Sequence, residues 1–329
     1  MKEFCIVKKT RWGRIVILLA IIFSVVAGWF FFQERVLEKK EVTKAEEKIE
    51  KEEKEKVVKE QKKEEPVPQI PEPIMEAKAA VIIDASNGKM VYKHNEAEAL
   101  APASMSKMMT AYLVLENVKK GNIHWEDQVQ MSAKAAYTVG ASIPVQPGST
   151  LTVKDLYYAL MLQSANNAAV ALAEHIAGTE EEFVVLMNGK AKQLKLTEAT
   201  VFVNASGLQN PDGTETKMAA ADVGTLTYRL AKDYPEILEV TKLTESQLAF
   251  QNIVVKNTNK MLNTANSDVY FEGMDGMKTG FTDSAGYCFA GTAVQGKKRL
   301  ITVVMGTDSE YKRFTETHKL LTYGFQIVK

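Results

Sequence analysis

The chain has 329 residues, of which 46% are hydrophobic and 25% charged, and this composition excludes wholesale disorder. Its 41 basic and 41 acidic side chains cancel without leaving a basic patch, so we expect no nucleic-acid partner. The two cysteines and four scattered histidines exclude a disulfide framework and a cysteine-ligated zinc site, and we expect no metal and no cofactor.

The N-terminus is predicted to anchor the protein in a membrane. Residues 15–32 are 18 uncharged residues, and a helix of that length covers about 27 Å, close to the hydrocarbon thickness of a bilayer. Five basic residues precede this run, which places residues 1–14 in the cytoplasm and the later chain outside. A cleaved signal peptide is the alternative, but the bulky exit from Trp29 to Phe32 argues against cleavage. We therefore expect a single-pass transmembrane signal anchor in the cell membrane.

Residues 33–74 are predicted to form a charged stalk and a proline-rich linker. Of the 33 residues from 33 to 65, 23 are charged, which suits a solvated helix or an extended coil. Pro66, Pro68, Pro71 and Pro73 then favour a stiff, polyproline-type connector. We expect one folded, extracytoplasmic domain over residues 75–329.

This domain combines strands at both ends with helices between them. An Asn-Gly pair at 87–88 indicates a hairpin, and apolar periodicity separates helices from strands. In chain order we predict strands at 79–84 and 90–94, helices at 102–118, 153–163 and 166–176, strands at 276–279, 286–293 and 299–306, and a helix at 309–324. The order predicts an α+β fold, an antiparallel sheet flanked by helices with a helical insert.

A serine followed three residues later by a lysine brings the two side chains onto one helix face. The pattern occurs three times, at Ser86/Lys89, Ser104/Lys107 and Ser309/Lys312. Ser86 and Lys89 lie on either side of the Asn-Gly turn, and Ser309 is typical of a helix N-cap. Ser104 instead opens an apolar helix that would bury the Lys107 ammonium and lower its pKa. A neutral lysine can take the serine proton, so Ser104 is the candidate nucleophile.

Two further motifs each occur once, Ser164-x-Asn166 and Lys278-Thr279-Gly280. With Ser104-x-x-Lys107, they resemble the three motifs that line the active site of penicillin-binding proteins and serine β-lactamases. The stretches at 102–111, 163–168, 173–178 and 275–280 closely resemble the low-molecular-mass D-alanyl-D-alanine carboxypeptidases, and the likeness covers about residues 77–325.

The resemblance implies a role for each residue of the first two motifs. Ser104 would form an acyl-enzyme, and Lys107 would accept its proton. Ser164 would relay protons to and from the leaving D-alanine, and Asn166 would bind the substrate amide. The implied partners are the stem peptides of peptidoglycan, with β-lactam antibiotics as covalent inhibitors.

The third motif is implied to bind substrate. Lys278 and Thr279 would hold it on a strand edge, and Gly280 would let its backbone approach closely. The backbone N–H groups of Ser104 and Phe281 would form the oxyanion hole. The terminal carboxylate of the substrate needs a cation, for which Lys278 is the first candidate and Arg313 the second.

Two positions depart from the pattern of this family. Phe281 stands where many members have histidine, and Ala165 stands where glycine is common. A β-lactamase is the first alternative, but residues 204–213 contain no glutamate to activate a hydrolytic water. A non-catalytic wall-binding protein is the second, and the intact motifs argue against it. D,D-endopeptidase and transpeptidase activities remain open, because the same acyl-enzyme can react with water or with an amine.

Overall fold

The computed structural model describes residues 70–328, together with the isolated residues Gly28, Trp29, Gln33 and Lys51. The chain divides into two units, Met1–Gln69 and Ile70–Lys329. The predicted cytoplasmic segment, most of the anchor at 15–32 and most of the stalk thus lie outside the described residues. Among the residues that are described, no helix combines the length and the apolar character needed to cross a membrane.

Eleven strands are found within residues 70–328, several of them very short. They are β1 (Ala79–Asp84), β2 (Lys89–His94), β3 (Ala99–Leu100), β4 (Gln128–Gln130), β5 (Thr150–Thr152), β6 (Met218–Ala219), β7 (Glu245–Gln247), β8 (Val254–Lys256), β9 (Met274–Thr282), β10 (Gly286–Gln295) and β11 (Lys298–Thr307). Five of them form the main antiparallel sheet in the order β2-β1-β11-β10-β9, which leaves β9 at one edge.

The α-helices over the same residues are α1 (Lys107–Lys120), α2 (Ala133–Ala136), α3 (Val153–Tyr158), α4 (Asn166–Ala177), α5 (Glu180–Gln193), α6 (Ala220–Asp233), α7 (Ile237–Thr241) and α8 (Glu310–Ile327). The short helix Ala103–Ser106 precedes α1 and is of the 3₁₀ type, and the segment Ala159–Gln163 continues α3 as a π-helix. Ser309 caps α8 as predicted, because its hydroxyl accepts a hydrogen bond from the Lys312 N–H at 3.2 Å.

Both faces of the main sheet are covered, which explains why β1 is apolar along almost its whole length. Alternate residues of a strand point to opposite faces. Val81 therefore joins the core beneath α6 and the other helices of the insert, whereas Ile82 joins the core beneath α8. Two strands begin the sheet and three complete it, seven of the eight α-helices found over residues 70–328 lie between them in the chain, and α8 follows the last strand. The predicted α+β fold is therefore confirmed.

Helix α1 runs through the centre of the helical region. Its residues 107–115 are all buried, and the helix ends at Gly121, whose φ of 72° is the left-handed conformation that glycine adopts without strain. The α-helix predicted at 153–163 is confirmed only over its first six residues, and the prediction is wrong for the rest. The π-helical remainder ends at Ser164, which also has a positive φ, of 64°.

The hairpin formed by β7 and β8 was not predicted. Its strands are three residues each, and four of the six residues are exposed, so they carry no clear alternation of apolar and polar positions. The buried Asp155 carboxylate of α3 holds the hairpin by accepting hydrogen bonds from the N–H groups of Ala249 and Phe250, at 2.9 and 3.1 Å. The residues that directly follow β8 line the cavity described below.

The described end of the linker packs against the folded domain. Lys319 of α8 donates to the carbonyl of Ile74 at 3.1 Å, and the Tyr92 hydroxyl donates to the carbonyl of Pro73 at the same distance. The N–H of Glu76 donates to the buried Glu316 carboxylate at 2.9 Å. Residues 73–76 are therefore held along α8 before β1 begins.

Candidate active site

A cavity of about 410 Å³ lies between the edge strand β9, the turn before α1 and the turn before α4. Five of the seven predicted site residues line it, namely Ser104, Ser164, Asn166, Thr279 and Phe281. The other two, Lys107 and Lys278, are 0% and 1% exposed and lie beneath its surface. Three segments that are far apart in the chain thus meet at one place.

Ser104 sits on a tight turn that is held from several sides. The preceding residue, Ala103, has a φ of 48°, a conformation that costs a residue with a Cβ about 1–3 kcal/mol. The Ser106 hydroxyl donates to the Ala103 carbonyl at 2.8 Å and closes the turn. Strain maintained in this way is typical of functional positions, because the surrounding contacts must compensate for it.

Lys107 is completely buried, and three acceptors surround its Nζ. These are the Ser104 Oγ at 2.8 Å, the Asn166 Oδ1 at 2.7 Å and the Ser206 carbonyl at 2.7 Å. Burial, and secondly the charge of Lys278, hold the pKa of Lys107 well below its usual range. A neutral amine has two N–H donors, which the Asn166 and Ser206 oxygens can accept. Its lone pair then faces the Ser104 hydroxyl.

Lys278 is a second buried lysine, on β9. Its Nζ donates to the Thr279 carbonyl at 3.1 Å, and burial followed by the charge of Arg313 lowers its pKa to about 7. The Thr279 hydroxyl is 2.6 Å from the hydroxyl of Thr258, which follows the β7–β8 hairpin. Lys278 therefore places a positive charge near Lys107 without lining the cavity itself.

Asn166 begins α4, and both ends of its side-chain amide bind protein groups. Its Oδ1 accepts from Lys107, and its Nδ2 donates to the carbonyl of Val139 at 2.8 Å. Its backbone N–H donates to the carbonyl of Ala141 at 2.6 Å. In this structure Asn166 therefore orients Lys107 and holds the loop at 139–141, which forms one wall of the cavity. Ser164 lines the same wall and is 6% exposed.

Gly280 packs against the turn that carries Ser104. A Cβ at this position would lie 2.5 Å from the Pro102 carbonyl oxygen and 3.3 Å from the Ala103 Cβ. The absence of a side chain thus lets β9 approach the Ser104 turn, in addition to the close approach of substrate that was predicted for Gly280. The next residue, Phe281, is 46% exposed at the cavity rim.

Several cavity residues were missed or ranked too low from the sequence. Arg313, the second candidate for the carboxylate, lines the cavity although its side chain is only 6% exposed. Glu310 and Lys260, which pair at 3.0 Å, also line it and were not considered. Thr258 was missed because it follows the unpredicted hairpin and belongs to no recognisable motif. Over residues 70–328, no group of three or more metal-ligating side chains is placed to hold a metal ion.

The arrangement suits nucleophilic acyl transfer. A serine hydroxyl touches a buried lysine whose pKa is lowered, and this lysine can remove the proton of the hydroxyl without any help from a carboxylate or histidine. The fold and the site together define a serine–lysine site suited to acyl transfer, in which lysine takes the place of the usual histidine base. The chain belongs to the D-alanyl-D-alanine carboxypeptidase family, whose model matches residues 61–309.

Individual relatives agree with this assignment. The chain is 38% identical over 253 residues to the D-alanyl-D-alanine carboxypeptidase DacF of Bacillus subtilis, an alignment that covers 76% of the chain and 62% of the relative. It therefore spans a little under two thirds of the length of this curated relative. Penicillin-binding protein D2 of Listeria monocytogenes, solved with ampicillin bound, is 35% identical with a TM-score of 0.70, and the match covers 78% of the chain and 100% of that structure. Penicillin-binding protein 5 of Haemophilus influenzae is 31% identical with a TM-score of 0.72, over 78% of the chain and 73% of that structure.

The contact between Gly280 and the Ser104 turn leads to a first prediction. Gly280→Ala should lower the free energy of unfolding by about 1–3 kcal/mol, because the added methyl group overlaps a backbone carbonyl that the turn holds in place. Chemical denaturation measures the change. Gly189→Ala on α5 is the control, since its Cβ would meet nothing within 4 Å and alanine favours a helix by about 1 kcal/mol. Equal stability of Gly280→Ala and the wild type would contradict the close packing.

A second prediction concerns pH. Lys278 has a pKa of about 7 in the folded protein against 10.5 when solvated, so between these values the unfolded chain binds the extra proton. Stability attributable to Lys278 therefore rises with pH across this window, by up to about 1.4 kcal/mol per pH unit. Lys278→Met should accordingly show a shallower rise in unfolding free energy from pH 7 to 10 than the wild type.

The comparison is made by denaturant titration at each pH. Lys297→Met, in the exposed turn between β10 and β11, controls for the loss of one lysine. Parallel curves for the wild type and Lys278→Met over the whole window would show that Lys278 stays charged when folded.

Proposed function

We propose that the protein is a membrane-anchored serine D-Ala-D-Ala carboxypeptidase that removes the terminal D-alanine from peptidoglycan pentapeptides. The observation that carries the proposal is the 2.8 Å contact between the Ser104 Oγ and the buried Lys107 Nζ, at the floor of a cavity bordered by an edge strand. Family membership and the name of the Bacillus subtilis relative support the choice of substrate.

Acylation begins when the Ser104 proton passes to the lone pair of Lys107. The Oγ attacks the carbonyl carbon of the penultimate D-alanine, and the backbone N–H groups of Ser104 and Phe281 stabilise the oxyanion. The bond from this carbon to the nitrogen of the last residue then breaks. The nitrogen takes a proton through Ser164, which lines the cavity, and free D-alanine leaves.

Deacylation restores the enzyme. Water gives a proton to Lys107 and attacks the ester carbonyl, and the Ser104 oxygen regains a proton as it leaves. The contacts of Asn166 support an orienting role, since its Oδ1 keeps the Lys107 nitrogen directed at Ser104 through both half-reactions. A substrate amide could engage Asn166 only by displacing one of its present partners.

Arg313 is the better placed cation for the terminal carboxylate. Lys278 is 1% exposed and donates to the backbone, whereas Arg313 lines the cavity. A guanidinium also offers paired donors that match the two oxygens of a carboxylate. We assign the direct contact to Arg313, and we assign to Lys278 the tuning of charge at Lys107. Thr279, on the edge strand beside the cavity, would hold the substrate backbone.

The same cavity is proposed to bind β-lactams, which would acylate Ser104. Penicillin-binding protein D2 of Listeria monocytogenes was solved both with ampicillin and with cefotaxime bound, and each match covers 78% of this chain. The bound antibiotic would occupy the place of the D-Ala-D-Ala end of a stem peptide.

Ser104→Ala should abolish both the release of D-alanine from a pentapeptide ending in D-Ala-D-Ala and covalent labelling by a fluorescent penicillin. The reason is that no other hydroxyl in the cavity contacts a buried lysine. Released D-alanine is measured with a coupled oxidase, and labelling is measured on a gel. Ser86→Ala, in the exposed turn after β1, is the control and should retain both activities. Labelling that persists in Ser104→Ala would refute the assignment.

The anchor is proposed from the sequence, with the charged stalk holding the domain outside the membrane. The protein extracted from membranes should retain residues 1–32, and protease added to spheroplasts should release the folded domain. Mass spectrometry of the extracted protein and immunoblots of the shaved cells measure the two outcomes. A mature N-terminus after Phe32, or a domain that stays protected in spheroplasts, would contradict this topology.

A further inference from the structure

Arg313 is held more by aromatic rings than by hydrogen bonds. Its Nη1 donates to the Gly280 carbonyl at 3.3 Å and its Nη2 to the Glu310 carboxylate at 3.2 Å, both long contacts. Its Nε is buried without a hydrogen-bond partner among the described residues. Its guanidinium carbon lies 5.5 Å from the ring centre of Tyr287 and 4.8 Å from that of Phe314.

The Tyr287 ring is itself held by Phe281. The two residues lie directly opposite each other on β10 and β9, and their rings stack with centroids 4.2 Å apart and planes 30° apart. Such cross-strand aromatic pairs fix the positions of both side chains. Phe281 follows Gly280, whose carbonyl accepts a hydrogen bond from Arg313. Two consecutive residues of β9 therefore act on the guanidinium, one through its carbonyl and the other through the Tyr287 ring.

We propose that Tyr287 and Phe281 are positioning residues for carboxylate recognition: the stacked pair holds the Arg313 guanidinium in the orientation that receives the terminal carboxylate of the substrate. This inference rests on the proposed function. An arginine side chain has many rotamers, and a site that fixes one of them before binding loses less entropy when the ligand arrives. The Tyr287 and Phe314 rings lie against the guanidinium and restrict its movement, and Phe281 acts on it through Tyr287.

The phenylalanine at position 281, where many members of the family have histidine, also bears on the choice of substrate. The Phe281 backbone N–H serves the oxyanion hole whatever the side chain, so the residue type is free to serve another purpose. An uncharged ring here can stack on Tyr287 without adding another positive group to Arg313 and Lys260, which also line the cavity. The side chain at this position therefore contributes to the selection of substrates that end in a free carboxylate.

The test compares two peptides, one ending in D-Ala-D-Ala with a free carboxylate and the same peptide ending in a carboxamide. For each, kcat and KM for release of the last residue are measured with the full-length protein in detergent. The readout is the ratio of kcat/KM for the acid to that for the amide. The wild type should favour the acid.

Two ring-removing variants, Tyr287→Leu and Phe281→Leu, should each lower this ratio about threefold to tenfold, mainly through a higher KM for the acid. The ring-retaining variants Tyr287→Phe and Phe281→Tyr should restore it. Tyr311→Leu is the matched control, because Tyr311 is an aromatic residue on the same helix as Arg313 but is 52% exposed, and its ratio should stay at the wild-type value. In an Arg313→Gln background, Tyr287→Leu should cause no further fall in this ratio.

Phe281 is 46% exposed, so its variant tests the proposal even if Tyr287→Leu does not fold. Two results with the variants would overturn this inference and leave the proposed function standing. One is an unchanged ratio in the ring-removing variants. The other is a fall of the ratio on adding Tyr287→Leu to Arg313→Gln that equals its fall in the wild-type background. A wild-type protein that favours the amide would also overturn this inference alone. A wild-type protein that releases the last residue of neither peptide would overturn the proposed function and this inference with it.

Discussion

The burial of the Lys107 amine is the constraint on which the site depends. Its three hydrogen-bond partners come from three different parts of the chain: the turn before α1, the start of α4 and the loop that contains Ser206. A buried amine must be hydrogen-bonded, so these parts have to meet within hydrogen-bond distance of one atom. The geometry of the nucleophile is therefore maintained by the same contacts that satisfy the lysine. Asn166 extends this arrangement to the cavity wall at residues 139–141.

A second buried lysine, Lys278, contributes to the low pKa of Lys107. Desolvation is the larger cause of the lowered pKa at both lysines, and a neighbouring cation adds to it in each case: Lys278 acts on Lys107, and Arg313 acts on Lys278. This series of cations leads from the nucleophile towards the cavity rim. Of these three groups only Arg313 lines the cavity, and its guanidinium stays protonated. Lys107 is thus suited to proton transfer, Lys278 to tuning the charge at Lys107, and Arg313 to binding.

The sequence predicted best what local pattern determines. The apolar run of β1 and the helix after Ser104 are strong periodic signals. The three motifs contain six of the seven predicted site residues, and the seventh, Phe281, directly follows the third motif. Five of the seven line one cavity. The segment at 159–163 was predicted as α-helix because a π-helix has no distinct sequence pattern. The β7–β8 hairpin was missed because its stability comes from Asp155, almost a hundred residues earlier in the chain, rather than from its own residues. Arg313 was ranked second for a related reason: spacing along the chain does not show that α8 brings it beside Gly280.

Strand β9 brings together a buried lysine, the nucleophile turn and an exposed residue at the cavity rim. Its residues alternate between the two faces of the sheet, and at the edge its backbone is also free to contact a ligand. Lys278 is buried beneath the cavity, Gly280 packs on the nucleophile turn and Phe281 stacks outward on Tyr287. In the proposed mechanism the chemistry would use the backbone of position 281 and the buried side chain of position 278, neither of which depends on an exposed side chain. Under the proposed function, variation at the exposed rim would change which peptide ends are accepted while the Ser104–Lys107 pair stays intact.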